Sequence, residues 1–248
     1  MKKFMALLLV AGMTLSLTAC GGSTDTAKTD QADGKDTFTV GFDQDFPPFG
    51  YVGDDGEFTG FDIEMATECA ARMGKKIVLQ PIDWDAKDME LEAGTIDCIW
   101  NGFTMNGRED QYTWTDPYMD NSQVVVVKKD SGINTLADLA GKVVEVQKES
   151  AAETALNDEE HADLMASFAQ LLSVGEYNTA FMDLESGAVD AVAIDIGVAQ
   201  FQIEGKEDQY QILDETISSE QYAVGFFLGN TALRDEVQST LLEMVEDG

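Results

Sequence analysis

From Thr37 onward, short apolar runs separated by glycine and proline change period in a regular order. Thr37 to Phe42, TFTVGF, alternates with β-branched and aromatic residues and predicts a strand. It enters Asp43-Gln44-Asp45-Phe46-Pro47-Pro48-Phe49, where two prolines fix the backbone near polyproline geometry and hold the flanking Phe46 and Phe49. After a glycine-rich turn, Ile63, Met65, Ala66 and Ala70 form the apolar face of a helix predicted through about Met73 and ended by Gly74. Lys76 to Gln80 predicts a second strand, Ala86 to Ala93 a short helix closed by Gly94, and Ile96 to Trp100 a third strand. This order is that of an α/β unit with a largely parallel sheet, which binds ligands beyond the carboxyl ends of its strands. Those ends carry Asp43 and Phe46, then Trp84, then Asn101 to Arg108.

A second set follows. Ser122 to Val127 is an apolar run, Thr135 to Leu139 a short helix, and Lys142 to Val146 a strand whose loop Gln147 to Ser150 leads into a helix from Ala151 to about Leu156. Glu176 to Ser186 places Tyr177, Ala180, Phe181 and Leu184 on one helical face, and Ala188 to Asp195 reads as a buried strand ending in an aspartate. Gly197 to Gln202 predicts a helix, Tyr222 to Leu228 a strand, and Leu233 to Met244 a final amphipathic helix. The phrase of helix, glycine and short strand occurs as Leu91 to Asp97 and again as Leu184 to Asp190, which points to a two-lobed body with a cleft.

The third strand leads into the most informative loop. Asn101-Gly102 and Asn106-Gly107 mark turns, and Arg108 after them is one of three arginines in the chain. Its guanidinium fork suits a carboxylate or phosphate. By spacing alone, a surface arginine paired with Glu109 or Asp110 is an equal alternative.

Charge narrows the partners. With 47 acidic against 15 basic residues the net charge is −32 over 248 residues, a surface that repels nucleic acid and anionic membrane and makes both poor partners. Met1 to Ala19 has Lys2 and Lys3 before an apolar stretch too short to span a bilayer, the form of an export signal. Cys20, directly after Leu17-Thr18-Ala19, resembles the lipidated cysteine of bacterial lipoproteins; the plainer alternative is an ordinary signal with an incidental cysteine. Removal of residues 1–19 takes two lysines away, leaving 13 − 47 = −34. Residues 20–36 read as a lipid-bearing cysteine and flexible tether, which places the body at the extracellular face of the cell membrane, or in a periplasm.

Catalytic chemistry has few candidates. His161 lies among Glu159, Glu160 and Asp163 as a solvated residue, so no metal and no cofactor is expected. No nucleophile is paired with a histidine, and no acid pair stands out as a glycosidase dyad. Cys69 and Cys98 are equally readable as a disulfide or as two buried thiols.

Taken together, Phe46-Pro47-Pro48-Phe49, Gly60-Phe61-Asp62-Ile63, Asp83-Trp84-Asp85, Asn101-Gly102-Phe103-Thr104 with Arg108, Asp116-Pro117-Tyr118 and the Gly187 to Asp195 strand resemble one family. It is the extracellular solute-binding proteins of ABC transporters for polar amino acids, and the likeness runs through the body from Thr37. The resemblance implies an α/β class-two periplasmic-binding-protein fold, with residues 37–123 and 222–248 as lobe 1, residues 124–221 as lobe 2, and two hinge strands. It implies that Arg108 with Thr104 takes an α-carboxylate, completed by the amides and hydroxyl around Ser150. Asp195 and the Gly102 carbonyl take the α-ammonium, and Asp43, Phe46 and Trp100 line the side-chain part of the cleft. The implied function is capture of a free L-amino acid, polar, cystine or glutamine among them, by a monomer that delivers it to ABC permease subunits. A sensing module for a signalling partner and a dehydratase-like enzyme are the alternatives, and the intact Arg108 and Asp195 pair argues against the enzyme. Relatives usually have one more residue between the counterparts of Thr104 and Arg108, a glycine where this chain has Glu149, and further helical sequence after the point equivalent to Gly248.

Overall fold

The computed structural model describes residues 36–248. The export signal, Cys20 and nearly all of the tether therefore lie outside the described residues. In the first sheet, Thr37–Phe42 runs parallel to Lys76–Pro81 on one side and to Cys98–Ile99 on the other, and Gly225–Phe226 and Thr113–Trp114 extend it antiparallel. The alternation read in TFTVGF points Phe38 and Val40 to one face. There they are fully buried against Ala66, Cys69 and Ala70 of helix Phe61–Arg72 and Leu233, Val237 and Leu241 of helix Thr231–Asp247. Each such side chain removed from water contributes about 1.5–3 kcal/mol. Cys69 and Cys98 share this core as free thiols, which settles the alternative left open above.

The second sheet runs in the order Gln170–Val174, Val143–Gln147, Ala191–Asp195, Met119–Lys128, Tyr210–Ile212, and Ser218–Tyr222 pairs with the first half of Met119–Lys128. Val125 and Val127 enter one core with Val144, Val146, Ala191 and Ala193, whereas Val124 and Val126 enter another with Val192 and Ile194. A strand covered on both faces needs apolar residues at every position, which is why the valine run is continuous.

Met119–Lys128 and Ser218–Tyr222 are antiparallel, with Met119 opposite Tyr222 and Gln123 opposite Ser218, and they carry the chain from one sheet to the other. At the first-sheet end, the Tyr118 amide donates to the Tyr222 carbonyl at 2.9 Å and the Ala223 amide to the Phe103 carbonyl at 3.0 Å. A single strand over Tyr222 to Leu228 was expected. The structure instead divides this region into Ser218–Tyr222, which belongs to the connecting pair, and Gly225–Phe226, which belongs to the first sheet. Asp45–Phe46, Gly50–Val52 and Phe58–Thr59 form a small separate sheet, and the Pro47–Pro48 peptide between its first two strands is cis. Among the described residues, no helix is long and apolar enough to cross a membrane.

Candidate functional site

A pocket lies at the carboxyl ends of both sheets. Phe46, Trp84, Asn101, Gly102, Thr104 and Arg108 line it from the first lobe, and Gln147, Ser150, Ala151 and Asp195 from the second. Phe46, Gly102, Thr104, Arg108, Ser150 and Asp195, singled out from sequence, are thus brought together. Trp84, Asn101, Gln147 and Ala151 complete the wall. Asn101 is buried, and neither its Oδ1 nor its Nδ2 has a partner among the described residues.

Arg108 stands on the loop after Cys98–Ile99, its amide bonded to the Met105 carbonyl at 3.0 Å and its own carbonyl accepting from Trp114 Nε1 at 3.1 Å. Its guanidinium lies 5.4 Å from the Phe103 ring centroid and donates to the carbonyls of Thr104 at 3.2 Å and Glu149 at 3.3 Å. Among the described residues it has no ion pair, so pairing with Glu109 or Asp110 is not what holds it. A cation fixed by neutral carbonyls keeps its charge available to an incoming anion.

Gly102 closes the turn with φ 56°, and a Cβ there would lie 2.9 Å from the Phe46 ring and 3.0 Å from the Tyr222 ring. Only glycine meets both demands. Its amide donates to Asp62 Oδ2 at 2.5 Å, and Tyr118 Oη donates to the same oxygen at 2.9 Å. Burial pushes the Asp62 carboxyl up to about 7, with these donors working in the opposite direction.

Asp195 ends its strand as a buried carboxylate. Its Oδ1 accepts from Asn121 Nδ2 and Gln123 Nε2 at 2.7 Å each and from Tyr222 Oη at 2.6 Å. Glu220, on the connecting strand, shares the two amides: its Oε1 accepts from both at 2.7 Å and from Thr104 Oγ1 at 2.8 Å. Burial, and then the Glu220 charge, hold the Asp195 carboxyl up at about 7. Sequence reasoning missed Glu220, Asn121 and Gln123, since a polar residue in a strand gives no sign of which neighbour it faces.

Two expectations change. Trp100 does not line the cleft; it is fully buried in the core with Phe38 and Cys98, 6.3 Å from the Tyr118 ring. Cys98 and Trp100 are two apart, so the pleat of the strand puts both on the core face. The Ser150 amide is already bonded to the Gln147 carbonyl at 3.2 Å, and Ser150 Oγ caps helix Ala151–Asn157 by accepting from the Glu153 amide at 3.1 Å. Asp43 lies beside the pocket, with its Oδ2 on Gln147 Nε2 at 2.6 Å.

The lobes are closed on each other. Phe46 and Phe49 pack into the second lobe's core, the Phe46 ring 6.1 Å from that of Tyr177. Lys148 and Asp85 form an ion pair at 2.6 Å, and Asn178 donates to Asp45 at 2.7 Å. Both polar contacts are exposed, so such pairs are worth about 0–1 kcal/mol each and the apolar contact carries more.

Two α/β lobes joined by two strands around such a pocket define a binding protein of the class-two periplasmic type, which encloses its ligand between the lobes. The chain belongs to the bacterial extracellular solute-binding proteins, family 3, whose model matches residues 38–248, and the family is one of binding proteins rather than enzymes. The L-cystine-binding protein TcyJ of Escherichia coli is 30% identical over 98% of this chain and 89% of its own length. The arginine-binding extracellular protein ArtP of Bacillus subtilis is 29% identical over 100% of this chain and 94% of its own. A solved histidine-bound substrate-binding protein of an ABC uptake transporter from Streptococcus pneumoniae is 32% identical, with a TM-score of 0.81 over 86% of this chain and 88% of that one.

Proposed function

We propose that this chain is the extracellular substrate-binding component of an amino acid ABC transporter, which captures one free L-amino acid between its lobes and delivers it to the permease. The observation that carries this is the placement of Arg108 and Asp195, from different halves of the chain, on the wall of one pocket. A zwitterion leaving water needs both charges compensated, because an unpaired buried charge is costly. Arg108 supplies the bidentate cation for the carboxylate and Asp195 the anion for the ammonium.

For the side chain, the reading is an uncharged polar amino acid, L-cystine and L-glutamine among the candidates. Phe46 and Trp84 offer apolar faces, Asn101 has unpartnered donor and acceptor atoms, and no second arginine lines the wall. Cys20 is proposed as the lipid-bearing residue that keeps the body near the permease. The test is calorimetric titration of protein freed of bound ligand with L-cystine, L-glutamine, L-histidine, L-arginine, glucose and inorganic phosphate. Binding of an amino acid and not of the sugar or phosphate is expected; tight sugar binding without amino acid binding would end this reading.

A further inference from the structure

On the Asp195 side of the pocket there are two buried carboxylates where an ammonium needs one: Asp195 on the wall, and Glu220, which is bonded to the wall residue Thr104. Asn121 Nδ2 and Gln123 Nε2 each donate at 2.7 Å to both Asp195 Oδ1 and Glu220 Oε1. An amide nitrogen has two protons, so both amides are fully committed between the two acids. Among the described residues neither acid has an ion-pair partner. Thr104, which lines the pocket, gives its only hydroxyl proton to Glu220 Oε1 at 2.8 Å, and so turns lone pairs, not a donor, toward the cavity; its hydroxyl therefore does not serve the α-carboxylate as the resemblance implied.

We propose that Glu220 is a specificity-determining residue for the ligand's amine. By holding the Thr104 proton and pairing with Asp195 through Asn121 and Gln123, it makes this side an acceptor-only, anionic one. A protonated amine brings three donors and a positive charge to it. The same carbon skeleton with a hydroxyl brings one donor and sets its remaining lone pairs against those of Thr104 and Asp195, so the hydroxy acid is rejected. Glu220 acts through Thr104 and Asp195 and is a positioning residue. The inference rests on the cleft reading above.

The ionisable groups around Asp195 are Glu220 and Tyr222 on the connecting strand, Tyr177 on the packed helix, Asp62 and Tyr118 behind Tyr222, and Arg108 on the same pocket. Burial comes first and the Glu220 charge second in holding the Asp195 carboxyl at about 7. Removing that charge lowers the pH at which Asp195 takes up a proton, so amine binding should persist further into acid.

The experiment uses the full chain and Glu220→Gln, which keeps an acceptor oxygen and removes the charge. L-Glutamine, L-cystine, L-histidine and L-arginine are titrated from pH 5 to 8, and for the tightest of them the 2-hydroxy acid of the same skeleton. At pH 8 the variant should lose about tenfold in amino acid affinity and less for the hydroxy acid, and its acid limb should move to lower pH. An unchanged ratio of the two affinities with an unchanged acid limb overturns the proposal. Should the variant not fold, the wild-type ratio decides: it should shrink from pH 8 to pH 5 as Asp195 takes up a proton, and a flat ratio overturns the inference. If none of the four amino acids binds, the cleft reading itself fails and this one with it. Amino acid binding with no change in ratio removes the role of Glu220 alone.

Discussion

Gln147 Nε2 donates to Asp43 Oδ2 at 2.6 Å, joining the carboxyl ends of Thr37–Phe42 in one lobe and Val143–Gln147 in the other. Asp43 also accepts from the Asp45 amide at 2.8 Å, yet burial outweighs both donors and raises its carboxyl from 3.8 to about 6. A carboxyl raised in the folded state favours the protonated form there. Its contribution to stability is therefore fully present below about pH 4 and is lost as pH rises through about 6. Asp43→Asn, which keeps an acceptor for Gln147, should raise the unfolding free energy at pH 8 by at most about 3 kcal/mol and change it little at pH 4. Denaturant unfolding at both pH values checks this; an equal effect at the two would mean that the buried charge is not what Asn removes.

Glu149 has φ 59°, the only positive φ among the described non-glycine residues. Its carbonyl receives Arg108 across the cleft and its amide donates to Glu153 Oε2 at 2.7 Å, so the backbone there is held by contacts that do not use its side chain. A residue with a Cβ in this conformation costs about 1 kcal/mol, and glycine avoids that cost. Glu149→Gly should therefore raise the thermal midpoint of the unliganded protein and leave amino acid affinity within about threefold. A lower midpoint would show that the glutamate side chain contributes more than its conformation costs.

Local pattern and resemblance reached different parts of this molecule. The valine run was readable as one continuous apolar segment and Ala188 to Asp195 as a buried strand ending in an aspartate, because period and turn chemistry are local; a pocket role for Asp195 came only from the family resemblance. Trp100 was misread although its spacing from Cys98 held the answer: once Cys98 faces the core, the pleat sends Trp100 there too. Thr113–Trp114 is a strand of two residues whose only support is the partner strand Gly225–Phe226, far away in sequence, so it has no period to read. Glu220 was invisible for the same reason. Its role comes from Thr104, Asn121 and Gln123 arriving from elsewhere, and strand polarity alone marks it as one more solvated acid.

The anchor can be tested independently of the cleft. Cys20→Ala should leave the unfolding midpoint and amino acid affinity of the body unchanged while shifting the protein from the membrane fraction to the soluble one. Fractionation of producing cells checks this, and an unchanged membrane-bound share would remove the lipid assignment.

The sharpest test of the site itself uses its two charges. Arg108 is held by the Thr104 and Glu149 carbonyls and by the Phe103 ring and has no ion pair among the described residues, so its removal breaks none there. If it were a surface residue, Arg108→Ala would change affinity by an amount worth about 0–1 kcal/mol. In the closed cleft the same change strands a desolvated carboxylate, and the expected loss is about 2–5 kcal/mol, or roughly 30-fold to several-thousand-fold in affinity. Asp195→Asn keeps the acceptor for Asn121, Gln123 and Tyr222 but removes the charge opposite the ammonium, so it too should weaken binding strongly. Its effect on the unliganded midpoint should be the reverse, since a carboxyl held at about 7 opposes folding at pH 8 and its neutral replacement does not. Both variants should close less on adding amino acid, because the ligand ties the lobes together. Titration with the tightest amino acid, beside unliganded melting curves at pH 8, measures all of this. Wild-type affinity in either folded variant would mean that the amino acid binds elsewhere.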